Sequence, residues 1–98
     1  MSYRLSIKEE AVQDMSEAYR WYEERRTGLG EEFLEALEQA YLRIQSNPLL
    51  YRKQSKERRL LVLQRFPYVL IFEESAEEVV VYAVFHTSRH PQSWKKRK

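Results

Sequence analysis

The residues of this chain that are best suited to chemistry lie near its carboxyl terminus. The candidates for binding a target are His86, Arg89, His90, Trp94, Lys95, Lys96 and Arg97. Cations gathered at the end of a strand attract phosphate groups or acidic protein segments, and a tryptophan beside them can stack on a base. The segment therefore predicts a surface that binds nucleic acid or an acidic protein.

Each aromatic or basic candidate also has a purely structural interpretation. Arg89 could form an ion pair with a carboxylate at the end of a sheet, and Trp94 could pack against the sheet or a helix. Trp21 and Tyr22, earlier in the chain, are of the type that usually packs between helices. These alternatives predict side chains that stabilise the fold and do not contact a ligand.

Neither a metal nor another cofactor is expected. His86 and His90 are separated by three residues, as some metal ligands are, but the chain has no cysteine, and no carboxylate close to the pair completes a set of ligands. We therefore expect hydrogen-bonded or solvent-facing histidines. The lack of cysteine also excludes disulfides and a thiolate nucleophile, which is compatible with a reducing compartment.

Charge is divided unevenly along the chain. Residues 1–50 carry six Lys/Arg and ten Asp/Glu, whereas residues 51–98 carry eleven and five, so a net −4 and a net +6 sum to the overall +2. The basic half, which includes Arg52, Lys53 and Lys56, is the candidate face for an acidic partner. The alternative is a solvated surface that is merely lopsided.

The composition is that of one globular domain. Its 98 residues are too few for two independent cores, and 43% apolar with 33% charged residues suit one core beneath a solvated surface. The amino terminus lacks the continuous apolar stretch of a signal peptide, and the longest apolar run, residues 79–85, is far shorter than a membrane span. We expect a cytoplasmic protein.

The spacing of apolar residues predicts a strand followed by two helices. Residues 3–7 alternate as a short strand does, and apolar residues then recur every three or four positions over 8–26 and 33–44. Both glycines of the chain separate these two stretches, and Asn47-Pro48 ends the second. This pattern predicts an antiparallel helical hairpin.

The second half of the chain predicts strands. Residues 58–66, 68–73 and 79–85 are rich in β-branched and aromatic side chains, with Pro67 and the polar residues 74–77 between them. A strand, a helical hairpin and then a run of strands predict an α+β fold, in which the hairpin packs on an antiparallel sheet of three to four strands.

Five short motifs, in their order along the chain, resemble the ParE branch of the RelE/ParE toxins. They are Trp21-Tyr22, Gly28-Leu29-Gly30-Glu31-Glu32-Phe33, Asn47-Pro48, Phe66-Pro67-Tyr68 and the run from His86 to Pro91. The resemblance covers nearly the whole chain. It implies a toxin of a bacterial type II toxin–antitoxin system, with plasmid stabilization among the roles of the family. It also implies a cognate antitoxin whose extended or helical segment wraps around the toxin in a hetero-oligomer.

Two activities occur in the family that the chain resembles. RelE-like members cut messenger RNA on the ribosome with basic side chains of the sheet, whereas ParE-like members inhibit DNA gyrase. In RelE-like members an arginine follows the tyrosine that opens the middle late strand, but here Val69 follows Tyr68. The preceding strand has Leu60, Val62 and Gln64 where some of the catalytic lysines are expected.

The resemblance therefore favours a gyrase inhibitor that is not an enzyme. Arg89 matches a phosphate-binding arginine of RelE-like members and would be a catalytic residue if the chain were a ribosome-dependent messenger RNA endonuclease. A degenerate module that binds an antitoxin without being toxic is a third hypothesis.

The last apolar strand predicts where an antitoxin segment binds. Residues 79–85 are apolar at both alternating sets of positions, so this strand needs cover on both faces. The helical hairpin can cover one face and leave the other for a partner. Val80, Tyr82 and Val84, which alternate along the strand, are the candidate antitoxin-binding residues.

Overall fold

The computed structural model describes residues 2–88 as two helices packed on a four-stranded sheet. In chain order the elements are β1 (Arg4–Ile7), α1 (Glu9–Arg25), α2 (Leu29–Ser46), a 3₁₀ helix (Pro48–Leu50), β2 (Arg59–Val62), β3 (Tyr68–Ser75) and β4 (Glu78–His86). The predicted α+β fold, with a helical hairpin on a sheet, is confirmed. β2 is shorter than the predicted strand over 58–66, because the chain bends after Leu63 and buries Phe66 in the core.

Within residues 2–88, neither helix is apolar enough along its length to cross a membrane.

The sheet has the strand order β1-β4-β3-β2 and is mixed. The last three strands of the chain are antiparallel neighbours, whereas β1 lies parallel to β4, with Leu5 opposite Val79. The three late strands are antiparallel as predicted, and the correction concerns β1, which joins them as a fourth, parallel strand. Alternation in a four-residue strand indicates which side chains share a face, but it does not reveal the direction of the neighbouring strand. Because β4 is paired along both edges, its apolar character suits its central place.

The two helices are joined at a tip that requires glycine. Gly28 has a φ of 91°, in the left-handed region, and a Cβ on Gly30 would lie 2.8 Å from the carbonyl oxygen of Tyr19. The carboxylate of Glu23 accepts hydrogen bonds from the N–H groups of Gly28 at 3.0 Å and Gly30 at 2.8 Å. A side chain of α1 thus satisfies N–H groups at the start of α2 that lack partners within the helix.

The main core lies between the hairpin and one face of the sheet. Its fully buried side chains include Phe33, Leu37 and Ile44 from α2 and Leu70, Phe72, Val79 and Val81 from the sheet. The rings of Tyr22, Phe33, Phe66 and Tyr68 pack together, with centroids 5.0 to 6.2 Å apart. Tyr22 is therefore a packing residue, as one of the two interpretations predicted.

Trp21, beside it, lies at the surface of α1. Its side chain is 40% exposed, and the guanidinium carbon of Arg25 lies 3.6 Å from the ring centroid. The Trp21 ring also packs edge-on against the ring of Tyr22, with centroids 5.1 Å apart, so the two members of the motif are in contact.

Candidate functional site

The face of the sheet that points away from the hairpin, here called the open face, carries a second apolar cluster. Leu60, Ile71 and Ala83 are buried there, and the partly buried Val69 and Phe85 pack against them. These residues alternate along their strands with residues of the main core, so they lie on the opposite side of the sheet. The open face is thus apolar at its centre, although no helix of residues 2–88 covers it.

A pocket of about 180 Å³ opens on this cluster. It is lined by Gln54, Leu60, Val69, Ile71, Phe85, His86 and Thr87. An apolar cavity of about 150 Å³ is large enough to hold benzene, so this pocket can accept one aromatic or branched aliphatic side chain. Protein interfaces commonly centre on one such desolvated anchor.

A β-bulge in β4 decides which of its residues reach the open face. Ile71 of β3 pairs with Ala83, whereas the next residue, Phe72, pairs with Val81, so Tyr82 is the extra residue of β4. A bulge of this kind shifts the alternation of side chains by one position. Beyond Tyr82 the side chains therefore face opposite to the sides that strict alternation predicts.

The three candidate antitoxin-binding residues do not all lie on the open face. Val80 and Tyr82 lie there and are half-buried, but Val84 faces the hairpin and is only 2% exposed. Val84 therefore cannot contact a partner bound to the open face, and Ala83 and Phe85 occupy that side instead. The binding roles of Val80 and Tyr82 stay predictions.

α1 supports the strand next to the bulge. The N–H group of Val84 donates a hydrogen bond to the carboxylate of Asp14 at 2.9 Å. Since a bulge disturbs the hydrogen-bond ladder between strands, an acceptor from the helix stabilises the backbone at this point. Asp14 thus links the hairpin to the strand that shapes the open face.

Tyr82 lies at the charged end of the open face. Its hydroxyl donates a hydrogen bond to Oε1 of Glu73 at 3.0 Å, and its ring centroid lies 4.1 Å from the guanidinium carbon of Arg58. The ammonium of Lys8 lies 5.8 Å from the same centroid. Partial burial and the hydrogen bond to Glu73 raise the pKa of Tyr82, so its hydroxyl stays protonated at neutral pH.

His86 is held in place at the end of β4. Its ring packs edge-on against Tyr68, with centroids 5.3 Å apart, and its Nδ1 accepts a hydrogen bond from the N–H of Ser88 at 3.2 Å. The expectation of a hydrogen-bonded histidine is therefore confirmed for His86. Because Nδ1 is an acceptor, the ring proton is on Nε2 in the neutral form.

The other candidates for target binding lie outside the described residues. They are Arg89, His90, Trp94, Lys95, Lys96 and Arg97. Their roles stay predictions. Within residues 2–88, no group of three or more histidine, aspartate or glutamate side chains is arranged to hold a metal ion.

Apolar side chains occupy the open-face positions where the resemblance to RelE-like members implies catalytic cations. Leu60 and Val69 line the pocket, and Val62, opposite Val69 and 54% exposed, extends the apolar surface to the edge of the sheet. Within residues 2–88, no lysine or arginine lines the pocket. A phosphate buried inside the pocket would lose its hydration without contacting a cationic side chain of the described lining.

Most of the pocket residues were not predicted from the sequence. Ile71 and Phe85 were not named as candidates. Leu60 and Val69 were noted only because they stand at positions where catalytic cations were expected. A signal was available, because residues 68–72 of β3 are apolar at every position, as residues 79–85 of β4 are. Two neighbouring strands that are apolar on both faces indicate a second apolar surface.

A model of the family described as the ParE toxin of the type II toxin–antitoxin system parDE matches residues 5–91. The matched range begins in β1 and extends past the end of β4, so it includes both faces of the sheet. No curated protein sequence matches the chain significantly.

Two solved structures resemble the fold. A chain of the chromosomal ParDE system from P. aeruginosa has a TM-score of 0.76 and 15% identity, over 87% of this chain and 96% of that one. The E. coli toxin RelE, solved in the free state with two arginines replaced by alanine, has a TM-score of 0.61 and 15% identity. That match covers 92% of this chain and 88% of the RelE chain. At this identity the likeness concerns the fold alone.

Proposed function

The chain belongs to the family of ParE toxins of type II toxin–antitoxin systems, and on this premise we propose that it inhibits growth by binding DNA gyrase. We further propose that it acts in the cytoplasm and that a cognate antitoxin neutralises it in a hetero-oligomeric complex. The observation that carries the proposal is the apolar pocket of the open face, which suits protein binding and has no cation in its lining among residues 2–88.

RNA cleavage is poorly served by the side chains of this face. Without a metal, the reaction needs a base for the 2′-hydroxyl and cations that stabilise the charge building on the phosphate. Tyr82 is a poor base, because its raised pKa keeps the hydroxyl protonated, and Nδ1 of His86 already accepts a hydrogen bond from Ser88. These features support a toxin that binds its target and does not cleave it.

The same face suits an antitoxin segment. Val69 and Phe85 are partly buried at the mouth of the pocket, and the exposed Val62 continues the apolar surface beside them. An apolar side chain from a partner would remove this surface from water, at about 25 cal/mol for each Å² buried. A helix or an extended segment can supply such a side chain.

Controlled expression in a bacterial host, with separate measurements of translation and of DNA supercoiling, tests the proposal. We expect filamentation, an induced DNA-damage response and loss of supercoiling by purified gyrase when the purified chain is added. The proposal predicts a small antitoxin encoded next to the gene, and its coexpression should restore growth.

Two other outcomes would replace the proposal. Rapid arrest of translation with cut transcripts would identify a messenger RNA endonuclease, in which case Arg89 is the first candidate for a catalytic residue. Normal growth, with a purified chain that still binds the neighbouring protein, would identify an antitoxin-binding module without toxicity.

A further inference from the structure

One wall of the open-face pocket belongs to a basic loop, defined here as residues 52–58. Gln54 of this loop lines the pocket, and Arg52, Lys53 and Lys56 stand within two residues of it. All three of these cations are exposed. With Arg58 the loop carries four cations and one carboxylate, so the segment that supplies one wall of the apolar pocket has a net positive charge.

Backbone contacts give the basic loop a defined shape. The N–H of Gln54 donates to the carbonyl oxygen of Arg58 at 2.6 Å, which closes the loop on itself. The guanidinium of Arg59 donates to the carbonyl oxygen of Tyr51 at 2.8 Å, and the Tyr51 ring packs edge-on against Phe72 of the main core. The loop is thereby anchored to the sheet, so less order has to be gained when a partner binds.

The positive region continues from the basic loop along the open face. Arg58 stacks on Tyr82, and Lys8 lies on the same ring at a longer distance. The carboxylate of Glu73 accepts the hydrogen bond of Tyr82, and the carboxylate of Glu57 lies close enough to help raise the pKa of Tyr82. The open face therefore changes from apolar at the pocket to cationic at the loop.

We infer that the antitoxin segment that fills the pocket carries acidic residues next to its apolar anchor, and that the basic loop binds these acidic residues. The inference rests on the proposed function, because it specifies the chemistry of the segment that the proposed antitoxin uses. Three of the four cations, Arg52, Lys53 and Lys56, stand within two residues of Gln54, and consecutive Cα atoms are about 3.8 Å apart. The acidic residues of a bound helix therefore belong within about one turn of the anchor.

An acidic protein segment fits this surface better than a nucleic acid does. Phosphates could meet the cations of the basic loop, but the adjoining pocket would then receive a base. That base would pack against Leu60, Val69 and Ile71, which offer no hydrogen bonds to its polar edges. Among the lining residues, Gln54, His86 and Thr87 carry the polar side chains that could pair with those edges. A leucine or phenylalanine flanked by aspartate or glutamate satisfies both parts of the surface.

The test measures binding of the full chain to the small protein encoded next to its gene, over a range of NaCl concentrations. The variant is Arg52→Glu with Lys56→Glu. Its matched control is Arg20→Glu with Arg43→Glu, which has the same net charge and reverses two exposed cations of the hairpin. Rim charges act mainly on the association rate. We expect the loop variant alone to associate about tenfold more slowly at low salt, with a dissociation rate close to that of the wild type.

The dependence on salt and a pocket variant complete the test. The deficit of the loop variant should shrink as NaCl is raised, because a shorter Debye length screens exposed charges. Val69→Asp should instead weaken binding at every salt concentration. Thermal unfolding confirms that each variant is folded. The milder variant Arg52→Gln with Lys56→Gln removes the two charges without reversing them, so it should change the logarithm of the association rate about half as much.

Three results would overturn the inference. If the loop variant behaves as the hairpin control does while Val69→Asp fails to bind, the proposed function stands and the role of the basic loop is refuted. If the loop variant binds the neighbouring protein normally but loses binding to a single-stranded RNA, the loop is a nucleic-acid surface. If the wild-type chain does not bind the neighbouring protein, antitoxin neutralisation itself is refuted.

Discussion

The same strands form both faces of the sheet, but the side chains of the two faces are buried to different extents. Beneath the hairpin, Phe33, Phe72 and Val81 are fully buried. On the open face only a small cluster is buried, and beside it lies a pocket with one wall from the basic loop. Apolar residues on the first face stabilise the fold, whereas those on the second can bind a partner. An apolar strand face that the helices do not cover therefore indicates a binding surface.

The largest effect is expected from a truncation on the hairpin face. Phe33 packs against the rings of Tyr22, Phe66 and Tyr68, so Phe33→Ala should lower the free energy of unfolding by about 3–5 kcal/mol. Urea denaturation measures this loss. The control Leu50→Ala removes a side chain that is 75% exposed and should change the free energy by less than about 0.5 kcal/mol. Equal losses for Phe33→Ala and Leu50→Ala would contradict the burial of Phe33 in the main core.

A charge on the open face should separate binding from stability. Val69→Asp should weaken antitoxin binding by about 30-fold or more, because it buries a carboxylate in the pocket. The free energy of unfolding should fall by only about 1 kcal/mol, since Val69 is partly exposed. Calorimetric titration and urea denaturation measure the two quantities. Val12→Asp, at a residue of α1 that is 48% exposed, is the matched control and should bind normally. Normal binding by both variants would contradict a binding role for the open face.

The link between the two faces should have an intermediate effect. Asp14→Ala removes the acceptor for the N–H of Val84 and should lower the free energy of unfolding by about 1–3 kcal/mol. Asp14→Asn retains an oxygen acceptor and should have a smaller effect. Amide hydrogen exchange at Val84 should speed up in the alanine variant, because the strand beside the bulge then opens more often. If the amide of Val84 exchanges as slowly in Asp14→Ala as in the wild type, Asp14 does not stabilise the strand beside the bulge.

The smallest effect is expected at the hairpin tip, far from the open face. Hydrogen bonds from Arg65 at 2.7 Å and Arg26 at 3.3 Å hold the pKa of Glu32 below its ordinary value of 4.5. A carboxylate with a lowered pKa contributes stability that is present above pH 4.5 and is lost as the pH falls through the folded-state value. As the pH is lowered from 6 to 3, the free energy of unfolding of Glu32→Gln should therefore fall slightly less than that of the wild type. Denaturation curves recorded at each pH measure this difference. Because the group is exposed, a difference of several kcal/mol would contradict this account.

The hairpin could be predicted to within a few residues at each end, because several local signals agree. The apolar spacing, the two glycines and Asn47-Pro48 indicate the same boundaries, and each acts through the backbone of its own segment. The role of Tyr22 in packing follows from the same spacing. Local agreement of this kind is what a single sequence conveys best.

The direction of β1 and the bulge at Tyr82 could not be predicted in this way. Both depend on the register between segments that lie far apart in the chain, and alternation within one strand does not report that register. The open face was therefore predicted as an apolar surface, but Val84 was placed on the wrong side of it. The pocket draws its walls from three strands and the basic loop, so no single segment indicates it.

The parallel pairing of β1 with β4 also affects how the protein is made. Leu5 and Val79 are about 74 residues apart, and closing a loop of this length costs on the order of 4 kcal/mol of chain entropy. During synthesis β1 and the hairpin leave the ribosome well before β4, so the centre of the sheet is missing from most nascent chains. A nascent chain thus has no open-face pocket to present to any partner, and the binding surface arises only when translation has passed β4.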